Sequence, residues 1–421
     1  MSVVEETTGT VRAYDVVILG AGYAGLMAAL RLSRKSRQLR IALVNASDRF
    51  LERVRLQESI VTEVVPRIAS ISAFLAGTDI AFICGTVISL DADRRCIRIA
   101  SEGQERDILF DEAIYAMGSR VDVEGVPGAA DHAYRLEAAE GRRSPSALRT
   151  RLRENAGRPL RVVTVGGAET AVEVAGEIKT AWPGLEMTMI NRSRCGDFKG
   201  ARVEAAIRAE LARLDVEMID NETVTEVRSA EVVTRSGRSV PFDICVWSGG
   251  LRSSPIASHA GLTTDPQGRI WVDPNLRSIS HSHIIAVGDA AHPVAPTGAP
   301  YRLSAFVAIN SGAYAADLLL ARTTRRRLDP FSFSTFGQGI AIGRGGVGFA
   351  SYPDDAQRWF ILTGVTARIV RNFFVWFITY ALKLERKMPG FWFWPGRRRV
   401  SWHQANEAIQ QVQTAQRTQP A

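Results

Sequence analysis

"DVVILGAGYAGLMAALRL", Asp15 to Leu32, is the stretch that decides the fold. An apolar run, Val16 to Leu19, feeds a glycine turn and then an apolar helical pattern. Gly20, Gly22 and Gly25 complete G-x-G-x-x-G, with Ala29 four residues on. In such a turn the first glycine permits the tight bend. The second lets backbone approach a diphosphate, and the third lets the helix lie close on the strand. The pattern alone is weak, but strand before and helix after make it a dinucleotide fingerprint. Its expected cofactor contacts are Gly20, Ala21, Gly22, Tyr23, Ala24 and Gly25. The next strand, IALVN, ends at Asn45, where an acid usually holds ribose hydroxyls. An amide there can still hydrogen-bond a ribose.

The same grammar returns at "VVTVGGAETAVEVAGEI", Val162 to Ile178. Gly166 and Gly167 make the turn, but Ala168 and Ala171 stand where the second and third glycines belong. Each half closes on a matching strand: FDEAIYAMGSR (Phe110 to Arg120) with Gly118, and FDICVWSGGLR (Phe242 to Arg252) with Gly249. Internal duplication of this kind predicts an α/β chain with two Rossmann-like dinucleotide-binding domains, the second inserted in the first. The expected boundaries are 11–135 and 256–335 for the two parts of the first domain, and 136–255 for the second. A further strand, Ile284 to Val287, ends on Gly288 and Asp289, and a small-residue helix runs from Ser304 to Leu320.

Bulk composition fits. At 421 residues the chain is too long for one core, and 46% apolar with 23% charged residues describes a globular protein. No uninterrupted apolar run reaches the roughly 18 residues of a membrane span. The N-terminus has acids and no apolar signal region. Cys84, Cys96, Cys195 and Cys245 stand far apart, which argues against a metal site or a redox disulfide and fits a cytoplasmic location. The net charge of +8 suits an anionic partner. Arginine clusters without interleaved aromatics speak against nucleic acid.

The C-terminal region, 336–400, holds RIVRNFFVWFITYALKLERK, Arg368 to Lys387. At helical spacing Arg368, Arg371, Asn372, Thr379, Lys383 and Arg386 share one face. Ile369, Phe373, Trp376, Phe377, Tyr380 and Leu384 share the other. Pro389 and Gly390 stop the helix, and FWFWPGRRR follows. A basic, aromatic amphipathic helix over 365–387 predicts contact with a membrane interface. The alternative is a helix whose aromatic face packs on the core or on a second subunit, which leaves a homodimer open. The Gln-rich tail, 401–421, is expected to be disordered.

Together these motifs resemble the flavoproteins with two dinucleotide-binding domains, which include the pyridine nucleotide-disulfide reductases. The chain looks most like their type II NADH dehydrogenase branch, with its ferroptosis-suppressor and apoptosis-inducing-factor-like relatives, over roughly residues 14 to 350. The resemblance implies FAD on the first fingerprint, with Gly288, Asp289 and Gly118 beside it, and NADH or NADPH on the second. It places Arg53, within RFLERVRLQE (Arg49 to Glu58), where disulfide reductases carry redox cysteines. No cysteine is present there, so electrons would pass directly from flavin to an acceptor. It sets Glu173 toward the nicotinamide, and Ser304, Ala305 and Phe306 at a helix start aimed at the flavin. No catalytic residue beyond the flavin is implied. Ubiquinone-reducing members carry A-Q-x-A-x-Q after the Gly-Asp pair. Here the matching stretch is Ala305-Phe306-Val307-Ala308-Ile309-Asn310, with both glutamines replaced.

Arg192 and Arg194 follow the second strand of the second fingerprint, where NADH enzymes usually place an acid. Guanidinium groups suit a 2′-phosphate, so the site reads as altered toward NADPH rather than lost. The expectation is an FAD-dependent NAD(P)H oxidoreductase that reduces a quinone-like acceptor from the cytoplasmic face of a membrane. The alternatives are a soluble reductase of a ferredoxin- or rubredoxin-type carrier and, more remotely, a non-enzymatic flavin-holding protein.

Overall fold

The computed structural model describes residues 12–35, 38–63, 69–138, 141–197, 200–296, 298–323, 327–333, 337–351, 357–392 and 402–417. Its first unit is built on the opening motif. Strand β1 (Arg12–Leu19) leads through the glycine turn into α1 (Tyr23–Lys35). Strands β2 (Ile41–Asn45) and β3 (Ala81–Cys84) stack outward from β1, all parallel. A short helix, α2 (Ile71–Leu75), precedes β3. The hairpin β4 (Thr86–Asp91) and β5 (Cys96–Ser101) runs antiparallel into the long β6 (Gln104–Tyr115). β6 returns parallel beside β1, and the later strand Ile284–Ala286 joins its C-terminal half.

The parallel strands read as near-continuous apolar runs because helices cover both faces. Val17, Ile18 and Leu19 are fully buried, as are Leu26, Met27 and Leu30 of α1. Each such side chain contributes about 1.5–3 kcal/mol of transfer free energy.

The second unit repeats the plan. Its sheet runs β10-β9-β8-β11-β7, from β7 (Ala133–Arg135), β8 (Arg161–Val165), β9 (Glu186–Ile190), β10 (Val216–Ile219) and β11 (Ile244–Trp247). All its pairings are parallel. Helix α3 (Glu169–Ala181) follows β8 as α1 follows β1. The chain crosses between units on a two-stranded ribbon, Ser119–Val121 against Leu251–Ser253. This paired entry and exit is the insertion the duplicated motifs predict. One boundary shifts. The edge strand β7 already belongs to the second sheet, so that unit starts before residue 136.

Helix α4 (Ala305–Thr323) lies on α1 so closely that a Cβ at Gly312 would stand 2.1 Å from the Ala24 carbonyl oxygen. The C-terminal region adds an antiparallel sheet of β12 (Gly337–Ile342), β13 (Gly345–Ser351) and β14 (Gln357–Thr363), then the 24-residue α5 (Gly364–Lys387). Ile340, Ile342, Val347 and Phe349 share one core with Val172, Ala175 and Ile178 of α3. The tail expected to be disordered instead carries α6 (His403–Arg417), with Ala405 and Ile409 buried. An apolar residue every fourth position on a polar background is enough to dock such a helix.

Candidate functional site

The first fingerprint assigns each glycine its own task. Gly20 has φ +95°, and a Cβ there would press to 2.5 Å from the Ala116 carbonyl oxygen. Gly25 seals α1 against the turn, since its Cβ would fall 1.9 Å from the Gly20 oxygen. Gly22 differs, because nothing lies within 4 Å of its Cβ position and the residue is exposed. The turn is thus closed on the protein side and open on the outer side. That is the cradle a diphosphate needs beside the N-terminal amides of a helix. Asn45 holds the turn from below: its Oδ1 accepts the Ala21 amide at 3.0 Å, and its Nδ2 donates to Ser47. One lone pair and one N–H of that amide remain for a ribose.

Residues distant in sequence converge beside this turn. The Ser119 hydroxyl donates to Asp289 Oδ2 at 2.8 Å, and Arg53 donates to the Ser119 carbonyl. Ser253 donates to the Asp289 carbonyl oxygen at 3.1 Å. Asp289 Oδ1 has no partner among the described residues, so the half-buried carboxylate keeps an acceptor for a ligand hydroxyl. Gly288, at φ +63°, gives its amide to Ser311 and sits against Ala24 and Ala308. Ser304 caps α4, its Oγ accepting from Val307 at 3.2 Å. The amides of Ala305 and Phe306 in the same first turn are then left for another acceptor. These residues fit FAD: an open turn at a helix start, a carboxylate with a spare oxygen and a second helix N-terminus.

The second fingerprint keeps the backbone and alters the surface. Gly166 has φ +126° and sits against the Ser248 carbonyl, next to Gly249. Gly167 lies over Asn191, whose buried Oδ1 has no hydrogen-bond partner. Ala168 is exposed at the position matching Gly22, and Ala171 is buried against the strand. Glu169 brings a carboxylate into the first turn of α3, which an anionic cofactor would oppose. Gln338 donates to that carboxylate at 2.7 Å. Arg192 is exposed without an ion-pair partner among the described residues. Arg194 is tied to Glu204 at 2.6 Å. Cys195 and Cys245 are buried in this unit, which pushes both thiols up to about 12 and removes them as nucleophiles.

Glu173 is not presented to an open cleft. Its Oε1 accepts from the Ala341 amide and Arg371 Nε, both at 3.0 Å. Its Oε2 accepts from Gln57 at 2.6 Å and Arg371 Nη2 at 3.0 Å. Arg371 also reaches Glu58 at 3.1 Å and the Val54 carbonyl at 3.0 Å. Burial pushes the Glu173 carboxyl upward, with the Arg371 guanidinium and the Ala341 amide pulling against it. Burial acts to lower Arg371, and the carboxylates of Glu173 and Glu58 outweigh it and raise the guanidinium. The expected nicotinamide contact is therefore a buried tie between α3, α5, β12 and the 3-10 segment Arg53–Ile60. Sequence reasoning missed the role of Arg371 and had set it on a polar face of α5.

That helix is mounted with its arginines turned toward the protein, while Asn372 and Lys383 stay exposed. Arg368 pairs with Glu177 at 3.0 Å, and Arg386 donates to the carbonyls of Ala73 and Ala76. Ile378, Ala381 and Leu382 are buried. The stripe left outside is Val365, Ile369, Phe373, Trp376 and Tyr380, 63, 62, 55, 54 and 39% exposed. The aromatic face is divided: Phe377 packs against the core and Trp392, whereas Ile369, Phe373, Trp376 and Tyr380 stay outside. Phe306 meets Phe374 of α5 edge-on, with ring centres 6.0 Å apart. Asn310 is buried and its Oδ1 accepts from Trp392 Nε1 at 2.6 Å. Of FWFWPGRRR only Phe391 and Trp392 are among the described residues, and Arg397 to Arg399 lie outside them.

Comparison with known proteins agrees with this geometry. The family model for pyridine nucleotide-disulphide oxidoreductases matches residues 14–312. The chain is 25% identical over 354 residues to the demethylphylloquinone reductase NdbB of Synechocystis, covering 79% of this chain and 85% of that one. It is 23% identical over 332 residues to the type II NADH:quinone oxidoreductase of Haemophilus influenzae, covering 68% and 75%. The solved sulfide:quinone oxidoreductase of Aquifex aeolicus shares the fold at TM-score 0.78 and 17% identity, over 90% of this chain and 93% of that one. The chain belongs to the pyridine nucleotide-disulphide oxidoreductase family, as a flavin oxidoreductase of its type II NADH dehydrogenase-like branch that uses FAD and NAD(P)H.

Proposed function

We propose that this enzyme works on a membrane surface and hands electrons from NAD(P)H to a quinone-like, lipophilic acceptor. The observation that carries the reading is the exposed stripe on α5, apolar where the chain could have placed lysine or glutamate. An outward aromatic row backed by inward arginines suits the headgroup level of a bilayer. Phe373 and Phe374 continue it to Phe306 at the start of α4, which provides an apolar approach toward the first fingerprint. Among the described residues no helix is long and apolar enough to cross a membrane. With a net charge of +8 the natural side is the anionic cytoplasmic leaflet.

FAD, when bound, supplies the chemistry that accepts hydride from NAD(P)H and passes electrons on. The chain binds and orients. The amides at the start of α1 and the room beside Gly22 take the diphosphate, and Asp289 Oδ1 accepts from a ligand hydroxyl. The first turn of α4 offers amides and positive dipole to developing negative charge. Arg192 favours a 2′-phosphate.

The test is co-sedimentation with neutral phosphatidylcholine vesicles. Wild type should bind, and Phe373→Ser/Trp376→Ser should stay in solution while still reducing a water-soluble acceptor such as ferricyanide. Equal sedimentation of both proteins would end the membrane reading.

A further inference from the structure

A cavity of about 480 Å³ opens between α2 and the C-terminal end of α5. It is separate from both fingerprints. Its apolar lining comes from the buried Phe74, the half-buried Leu384, and Ala73 and Tyr380. Its basic lining is Lys383, Arg386 and Lys387. Arg386 is spent on the carbonyls of Ala73 and Ala76 and holds the two helices in place. Lys383 and Lys387 stand one helical turn apart, exposed, with no ion-pair partner among the described residues. Asp48, bonded to this corner, is engaged by the Ser70 hydroxyl and the Ser72 amide.

The cavity is continuous with the aromatic stripe. Tyr380 lines it, and Trp376 stacks on Tyr380 with ring centres 4.9 Å apart. An apolar lining with two unpaired cations suits a molecule that is itself divided, with an acyl part and an anionic head. A free inorganic anion would meet the lysines and leave the apolar wall unfilled. We propose that this pocket seats one anionic phospholipid, its phosphate between Lys383 and Lys387 and its acyl part against Phe74, Leu384 and Tyr380. The proposal rests on the membrane-facing reading of α5 and adds a specific lipid site to it.

The test uses the full-length, FAD-loaded protein and two kinds of vesicle, phosphatidylcholine alone and phosphatidylcholine with phosphatidylglycerol. Wild type should prefer the anionic vesicles. Lys383→Gln/Lys387→Gln should lose about thirty-fold in affinity for them, at roughly 1 kcal/mol for each basic residue near an anionic surface, and nothing for neutral vesicles. Ala73→Trp should lose most of the same preference while keeping both lysines, because the new ring fills the pocket. Ala73 is exposed, so that variant should keep its flavin and melting temperature. A preference that survives Ala73→Trp but falls with the lysines would mean diffuse surface charge and would overturn the pocket. Displacement of the vesicles by millimolar inorganic phosphate at constant ionic strength would also overturn it, in favour of a free-anion site. Wild type that binds neither vesicle would instead sink the membrane reading, and the pocket with it.

Discussion

Two glycines three residues apart have opposite reasons to be glycine, and this separates binding from folding. A side chain at Gly22 meets no protein atom, whereas one at Gly25 collides with backbone. Gly22→Leu should therefore give folded, colourless protein, and Gly25→Leu should not fold. Flavin absorbance per protein and a thermal melt distinguish the two outcomes, and a Gly22→Leu protein with full flavin would misplace the site. The second fingerprint gives a subtler prediction. Arg194 is committed to Glu204, so Arg192 alone is free to read a 2′-phosphate. Arg192→Ala should weaken NADPH about tenfold against NADH, the lower end for a charge-assisted bond at an exposed site. An unchanged ratio in stopped-flow flavin reduction would remove NADPH from the account. At this scale the turn glycines were legible because backbone sterics act locally. Asn45 bracing the Ala21 amide was not, because its orientation depends on a turn 24 positions away.

The elements are held together by buried charge, which makes them testable by deletion and by acid. Arg371→Met would leave Glu173 buried without its charge partner, while Glu58 keeps Arg55 at 2.6 Å, and should cost about 3–5 kcal/mol. Adding Glu173→Met should recover much of that loss, because an apolar pair replaces a buried ion pair at little net cost. If the double variant is as unstable as Arg371→Met in urea melts, the pair is not the tie described. Asp265 is a second case. His292 Nδ1 at 2.7 Å, Arg269 Nε at 2.6 Å and the amides of Gln267 and Arg269 surround it. Burial opposes its ionisation, but His292 and Arg269 outweigh that and hold its carboxyl below the usual range. Its folded pKa is depressed, so the stability it adds is present above the ordinary aspartate value near 3.9 and is lost as pH falls through the lower folded value. The melting-temperature gap between wild type and Asp265→Asn should be full at neutral pH and shrink below about pH 4. A gap that widens in acid would reverse the assignment. Helix α5 was legible as an element from its 3.6-residue spacing. Its mounting was not, since an arginine row marks one face and does not say whether the ligands on that side are lipid phosphates or Glu173 and Glu177.

For the whole molecule, the duplicated fingerprints carried the architecture, because each strand–turn–helix folds on local rules and two copies imply two sheets. The C-terminal region carried less information, having no motif, and its placement depends on partners over a hundred residues away. That placement alters the outcome of truncation. Removing residues 365–421 would take Ile378, Ala381, Leu382 and Trp392 out of the core of the first unit and leave Glu173 without Arg371, so the truncated protein should lose stability as well as membrane contact. The surface variant Phe373→Ser/Trp376→Ser isolates the membrane effect. The route of electrons from NAD(P)H through FAD to a lipophilic acceptor is tested most directly by one anaerobic experiment. The FAD-loaded protein is mixed with NADPH or NADH until its flavin bleaches, and then with vesicles carrying a long-chain quinone or with an oxidised ferredoxin. The predicted result is bleaching by the nucleotide and rapid recolouring by the quinone vesicles alone. Recolouring only by ferredoxin, or no bleaching by either nucleotide, would contradict it.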